Sequence, residues 1–148
     1  MTAPLVAGAW ASRYVGLPAA ERGRDPSTGL DCWGLVRLVL SREAGIDAPS
    51  WEDAYAGFCS VEDARGLIDS VRAEWDEIDV PGGAQLREFD VLLFKGLRTA
   101  LHVGVAVDFE TFLHVDPFVT LTAAVERWRG PKWEARMLGV YRSRRLSA

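Results

Sequence analysis

The stretch Gly29-Leu30-Asp31-Cys32-Trp33-Gly34-Leu35-Val36-Arg37-Leu38-Val39-Leu40 decides the fold. A turn residue leads into an acidic residue, a cysteine and a run that is apolar enough for a buried helix. Asp31, or Ser27 or Thr28 upstream, can cap the helix N-terminus, which places Cys32 in the first turn. There the partial positive charge of the helix end favours a thiolate and lowers the pKa of the thiol. A lone cysteine is nevertheless more often a small buried apolar residue.

The composition fits one globular domain. The chain has 148 residues, 49% of them hydrophobic, which is enough for a substantial core. Its net charge of -4 argues against nucleic-acid binding, which needs a concentrated basic face. Two cysteines, Cys32 and Cys59, are too few for a disulfide scaffold. No run approaches the roughly 18 apolar residues of a membrane-spanning helix, and the first ten residues lack the basic start of a signal peptide, so we expect synthesis in a cytoplasm without membrane insertion.

Helices are predicted in the first half of the chain and strands in the second. The predicted helices cover about residues 4–16, 32–44 and 61–75. The predicted extended segments are residues 77–80, 89–94, 101–107, 111–115, 118–121 and 135–141, with a helical turn at about 123–128. This order is typical of an α+β domain in which helices pack on an antiparallel sheet.

The only two histidines, His102 and His114, fall in two predicted strands of one hairpin. With the hairpin turn centred on Asp108, the two positions lie directly opposite one another and their side chains share one face. Small residues on that face leave room for a helix, and we place the helix of Cys32 there. The arrangement joins a thiol, an imidazole that shares its proton and a second imidazole that orients the first, as cysteine catalysis requires.

Each of these residues also has a purely structural interpretation. Cys32 can be a packed core thiol, His102 a half-buried strand histidine and His114 a surface residue. A metal site is a further alternative, since Cys32, Cys59, His102 and His114 could form a tetrahedral Cys₂His₂ site, although their spacings fit no zinc module.

Five segments, in order along nearly the whole chain, resemble motifs of one enzyme family. Asp31-Cys32-Trp33-Gly34-Leu35-Val36 resembles the nucleophile segment of the NlpC family of papain-like cell-wall peptidases. Residues 88–94 resemble its Gly-Asp-apolar strand, and residues 101–107 its His-Val-Gly strand. Residues 112–115 match the position of its third catalytic residue, and residues 137–142 are similar to its closing strand.

The resemblance implies that Cys32 is the nucleophile, His102 the base and then the acid, and His114 the orienting group. It implies a papain-like NlpC-type α+β fold, with N-terminal helices packed on a small antiparallel sheet, as a single domain over residues 1–148 with an insertion at about 46–76. The implied reaction is hydrolysis of an amide bond in the peptidoglycan stem peptide, in many members the bond between D-γ-glutamate and diaminopimelate. No metal or organic cofactor is implied.

Asp31 and Trp33, which flank the cysteine, are predicted to border the substrate groove. Family members often have Ser in place of Trp33, and a Trp beside an apolar helical run is more often a core residue.

The Asp-Cys-Trp-Gly form and the insertion resemble the members that are encoded with phage tail genes. Because the presumed substrate lies outside the cytoplasm and no export signal is seen, we expect carriage to the cell wall in a phage tail tip or tail-like particle, docked on other tail proteins. The alternative is a structural tail-tip protein that retains the peptidase fold as an interaction module.

Overall fold

A computed structural model gives the fold and describes residues 8–50, 74–99 and 101–146. The elements are β1 (Arg24–Asp25), β2 (Gly29–Leu30), α1 (Cys32–Ala44), β3 (Trp75–Glu77), β4 (Val91–Lys95), β5 (Leu101–Ala106), β6 (Thr111–His114), β7 (Ala124–Arg127) and β8 (Met137–Ser143). The strands β3-β8-β4-β5-β6-β7, in that order, form one antiparallel sheet, and β1 pairs with β2. The predicted α+β class is confirmed.

Helix α1 has the predicted bounds because its two ends are capped locally. The side chain of Asp31 accepts the N–H of Gly34 at 2.6 Å, so Cys32 is the first helical residue. At the other end Gly45 has φ 67° and donates its N–H to the carbonyl of Leu40. This left-handed conformation is one that glycine adopts without strain, and it stops the helix.

The helix packs on the face of the sheet that carries Val103 and Val105. The prediction that it lies on the face of His102 is wrong. The branched side chains on the first face offer α1 an apolar surface, whereas the small residues on the other face leave no vacant space. A Cβ added to Gly104 would stand 2.5 Å from the ring of Phe112, which covers that position.

The face of the sheet opposite α1 has a second apolar core. Its buried members are Val80, Leu86, Leu92, Phe94, Ala106, Phe112, Trp128, Trp133 and Val140. Strands β4 to β6 are therefore covered on both faces, and polar side chains placed between the layers must find partners within the protein.

Three predicted elements differ in the structure or lie outside it. The residues after Gly8 form a 3₁₀ helix, Ala9–Arg13, rather than an α-helix, because Gly8 N–H and the Trp10 indole N–H both bind the carboxylate of Glu88. The first predicted extended segment of the sheet begins earlier, as β3. Cys59 lies outside the described residues, and so does the predicted helix at 61–75 except for its last two residues.

Two predictions near the end of the chain are wrong. Residues 118–121 form a turn and no strand, because the carboxylate of Asp116 accepts the N–H of Phe118 at 3.0 Å and its carbonyl accepts the N–H of Thr120 at 2.8 Å. The segment predicted as a helical turn is strand β7, whose burial alternates along the chain and which pairs with β6. Alternation at a period of two is the signature of a strand, and it was hidden by good helix formers.

Phe89 holds a backbone conformation that favours glycine. Its φ is 72°. Phe89 stands where the Gly-Asp-apolar motif that residues 88–94 resemble has glycine. The ring of Phe89 stacks on Trp10, with centroids 5.2 Å apart and planes at 22°. This packing offsets the strain that a side chain suffers in the left-handed region.

We expect Phe89→Ala to be less stable than Phe89→Gly by about 1 kcal/mol. Both variants lose the stacking on Trp10, but only glycine relieves the left-handed strain. Urea denaturation of the two variants measures the difference in free energy of unfolding. Equal stability, or a more stable alanine variant, would contradict the strained conformation.

Candidate active site

Cys32 is the first residue of α1, and its side chain is buried. The residue is 8% exposed, and burial raises the pKa of the thiol, as do the carboxylates of Asp31 and Asp116. The backbone N–H groups of Val103 and Trp33 act in the opposite direction but do not prevail. The N–H of Trp33 in the first helical turn acts in the predicted direction, but burial outweighs it, so the pKa of the thiol is raised on balance and the thiol is neutral at neutral pH.

Asp31 and Trp33 are both buried and engaged within the chain. Besides capping α1, Asp31 accepts a hydrogen bond from Arg24 Nη1 at 2.7 Å. The indole Nε1 of Trp33 donates to the carbonyl of Pro49 at 2.8 Å. These contacts hold the loop before the helix and the segment after it against the first turn. Binding of substrate by Asp31 and Trp33 stays a prediction.

The structure brings His102 and His114 into hydrogen-bond contact. Nε2 of His102 lies 2.8 Å from Nδ1 of His114, with the rings almost perpendicular at 80°. The predicted register is wrong by two residues, because Val105 pairs with Leu113. A shift of two keeps both imidazoles on one face, so they meet as diagonal neighbours instead of as a direct pair.

The histidine pair is buried, and aromatic rings pack against it. The ring of Trp133 stacks on His102, with centroids 5.3 Å apart and planes at 24°, and meets His114 edge-on at 5.3 Å. Burial is the main cause that lowers the pKa of His102 to about 3; a positive charge on His114 would act in the same direction, whereas the carboxylate of Glu126 raises the pKa. At neutral pH His102 is therefore a neutral imidazole.

Glu126 extends the pair, and the sequence reasoning missed it. Its carboxylate accepts a short hydrogen bond from Nε2 of His114 and another from Nζ of Lys132 at 3.1 Å. The hydrogen bond to His114 is the main cause that lowers the pKa of Glu126 to about 2. Residues 123–128 were predicted to form a helical turn, which gave no reason to place Glu126 near His114. Had this segment been predicted as a strand beside β6, Glu126 would have been placed near His114.

Cys32 reaches the strand that carries His102, but the two side chains are not bonded to each other. The thiol lies by the backbone N–H of Val103, the neighbour of His102 in β5. No hydrogen bond joins the Cys32 sulfur to the His102 ring in the part of the chain that the structure describes. His114 occupies Nε2 of His102, and among the described residues no hydrogen bond is found at Nδ1 of His102.

The described residues show neither a metal-binding cluster nor a membrane-spanning helix. Within residues 8–50, 74–99 and 101–146, no three His, Cys, Asp or Glu side chains are grouped so that they could hold a metal ion. Cys59, which the Cys₂His₂ alternative requires, lies outside these ranges. Over the same ranges, no helix has both the length and the apolar character that crossing a bilayer demands.

The chain is similar to known proteins of one family. The model of the NlpC/P60 family matches residues 19–142. A crystal structure described as similar to a lipoprotein of the NLP/P60 family, from Staphylococcus aureus subsp. aureus Mu50, superposes with a TM-score of 0.59 at 22% identity over 90% of this chain. The chain spans only 38% of that protein's length.

A second solved structure is the NlpC/p60 domain of the peptidoglycan hydrolase SagA. It superposes with a TM-score of 0.53 at 25% identity, over 80% of this chain and 84% of that domain. No curated protein sequence matches the chain. The family match covers most of the described sheet and all of α1, and the chain therefore belongs to the NlpC/P60 family.

Proposed function

We propose that this protein is a cysteine peptidase that hydrolyses an amide bond in the stem peptide of peptidoglycan, with Cys32, His102 and His114 as its triad. The family membership and the likeness to a peptidoglycan hydrolase domain support the substrate class. The observation that carries the triad is the buried hydrogen bond of 2.8 Å between His102 and His114. The Cys32 thiol lies beside the strand that contains His102.

In the proposed reaction the thiol is activated by a base at the moment of attack. As the Cys32 sulfur attacks the carbonyl carbon, Nδ1 of His102 takes the thiol proton, since both groups start neutral. The backbone N–H of Cys32 at the helix start stabilises the oxyanion. His102 then protonates the leaving amine and a thioester remains. Water, deprotonated by His102, hydrolyses the thioester and restores the thiol.

Defined muropeptides test the proposal directly. We expect the purified protein to split a stem peptide into two fragments whose masses sum to the substrate plus one water, and we propose the D-γ-glutamyl–diaminopimelate bond as the one cut. Liquid chromatography with mass spectrometry identifies the bond. A folded protein that leaves every muropeptide intact would contradict the peptidase proposal.

Carriage in a phage tail tip or tail-like particle is a separate part of the proposal. It is supported by the Asp31-Cys32-Trp33-Gly34 form of the nucleophile segment and by the interval at 46–76. Its test is co-expression with tail-tip proteins encoded nearby. A stoichiometric complex that survives size-exclusion chromatography is expected, and elution of the chain alone would count against it.

A structural role for the fold is favoured by the environment of the Cys32 thiol. The Cys32 thiol is buried, its pKa is raised and it makes no hydrogen bond with His102. If the domain serves only as an interaction module, the tail-tip complex forms and no muropeptide is cleaved. Cleavage by the wild-type protein separates the two functions.

A further inference from the structure

We propose that Glu126 is a positioning residue that sets the tautomers of both histidines, so that the bare nitrogen of His102 is the one available to the thiol. The juxtaposition that carries this inference is a continuous chain of hydrogen bonds from Glu126 through His114 to His102. The role of this chain in catalysis rests on the proposed function, whereas its effect on the tautomers does not.

The first link fixes where His114 carries its proton. An ionised carboxylate can only accept hydrogen bonds, so Nε2 of His114 must be the donor to Glu126. The ionised form is maintained by this bond and by Lys132, whose Nζ lies 3.1 Å from the other carboxylate oxygen.

The second link passes the constraint on to His102. We infer the neutral form of His114, which has one donor and one acceptor, so that with its proton on Nε2 it accepts at Nδ1; a doubly protonated His114 would donate at Nδ1 and force the proton of His102 onto its own Nδ1. Nε2 of His102, 2.8 Å away, must then be the donor. The remaining nitrogen, Nδ1 of His102, is left with a lone pair, and this is the form that a general base needs.

The sheet register makes this chain possible. His114 pairs with Ala124 across β6 and β7, so Glu126 lies two residues further along β7 on the same face. His102 is displaced from His114 by two residues in the same diagonal manner across β5 and β6. Three adjacent strands thus each contribute one member, and Trp133 covers both imidazoles.

The charge of Glu126 also acts on His102. It raises the pKa of His102, against the larger effect of burial, while the positive charge of Lys132 lowers it. When His102 takes the thiol proton in the proposed reaction, the carboxylate at the end of the chain stabilises the imidazolium that forms. Glu126 thus orients the base before the transfer and supports its charge afterwards.

The test uses the fact that the chain has only two histidines. In protein labelled with ¹⁵N-histidine, side-chain NMR at neutral pH distinguishes protonated from bare ring nitrogens at each site. We expect Nε2 protonated and Nδ1 bare in both rings of the wild type. We expect Glu126→Leu, which removes acceptor and charge, to place a substantial share of the proton on Nδ1 of both rings. Glu126→Gln, which keeps an acceptor, should shift the tautomers less.

Lys132→Met is the matched control, because it removes one partner of Glu126, while the hydrogen bond with His114, the larger cause of the lowered pKa of Glu126, keeps the carboxylate ionised and in place as an acceptor. Its tautomers should equal those of the wild type. A wild-type spectrum with the proton on Nδ1 of His102, or unchanged tautomers in both Glu126 variants, would overturn the inference. If Glu126→Leu does not fold by circular dichroism, Glu126→Gln decides.

Activity provides the second readout. We expect kcat on a muropeptide to fall on the order of 10- to 100-fold in Glu126→Leu, with less change in KM and partial rescue by Glu126→Gln. An inactive wild type with the expected tautomers removes the peptidase proposal and leaves the tautomer assignment. An active wild type, with tautomers that do not change in the Glu126 variants, keeps the peptidase proposal and removes the tautomer assignment.

Discussion

Replacing Cys32 with alanine is expected to lower muropeptide cleavage by at least about 10³-fold while the fold is retained. The variant removes the only thiol among the described residues, which lies beside the strand of His102, and without it no covalent thioester can form. Initial rates measured by chromatography give the loss. Circular dichroism shows whether the protein still folds, because alanine leaves only a small cavity at the first turn of α1.

Cys59→Ala is the matched control for this experiment. A thiol nucleophile at Cys32 predicts that the Cys59 variant cleaves at the wild-type rate, whereas a Cys₂His₂ metal site predicts that both variants lose activity together. His102→Ala should be as inactive as Cys32→Ala. Cleavage by Cys32→Ala at more than a tenth of the wild-type rate would end the assignment of the nucleophile.

Local signals made the helix of the nucleophile predictable from the sequence. Asp31 caps α1 and Gly45 ends it, and both act through backbone groups within a few residues. The hairpin turn was predictable for the same reason, since the carboxylate of Asp108 accepts the N–H groups of Glu110 and Thr111 at 2.9 and 2.8 Å. That His102 and His114 share a face followed from the strand period alone.

Features set by distant packing could not be read in the same way. The face that α1 covers depends on Phe112 filling the space beside Gly104, a contact between strands that no local pattern reveals. The raised pKa of Cys32 is a result of burial, which outweighs the helix end once the sheet encloses the thiol. Glu126 was missed because local helix propensity concealed a strand that is formed by pairing with β6.

Arg142→Met is expected to lower the free energy of unfolding by about 3–5 kcal/mol, the usual effect of breaking a buried ion pair. Arg142 binds the carboxylate of Asp90 in a bidentate manner, with Nε–Oδ1 and Nη2–Oδ2 distances of 2.7 Å. Asp90 is fully buried at the entry to β4, in the Gly-Asp-like segment, and Arg142 lies in β8. Methionine keeps most of the apolar stem but leaves the carboxylate without its cation.

Arg144→Met is the control. Arg144 also forms an ion pair, with Asp76 at 2.9 Å, but both of these side chains are more than half exposed. We expect it to cost less than about 1 kcal/mol, since exposed ion pairs are screened by water. The double variant Asp90→Asn/Arg142→Met should recover part of the loss, because the uncompensated charge is gone. Urea denaturation measures all three. If Arg142→Met costs no more than Arg144→Met, the β4–β8 ion pair does not hold the sheet of the candidate site together.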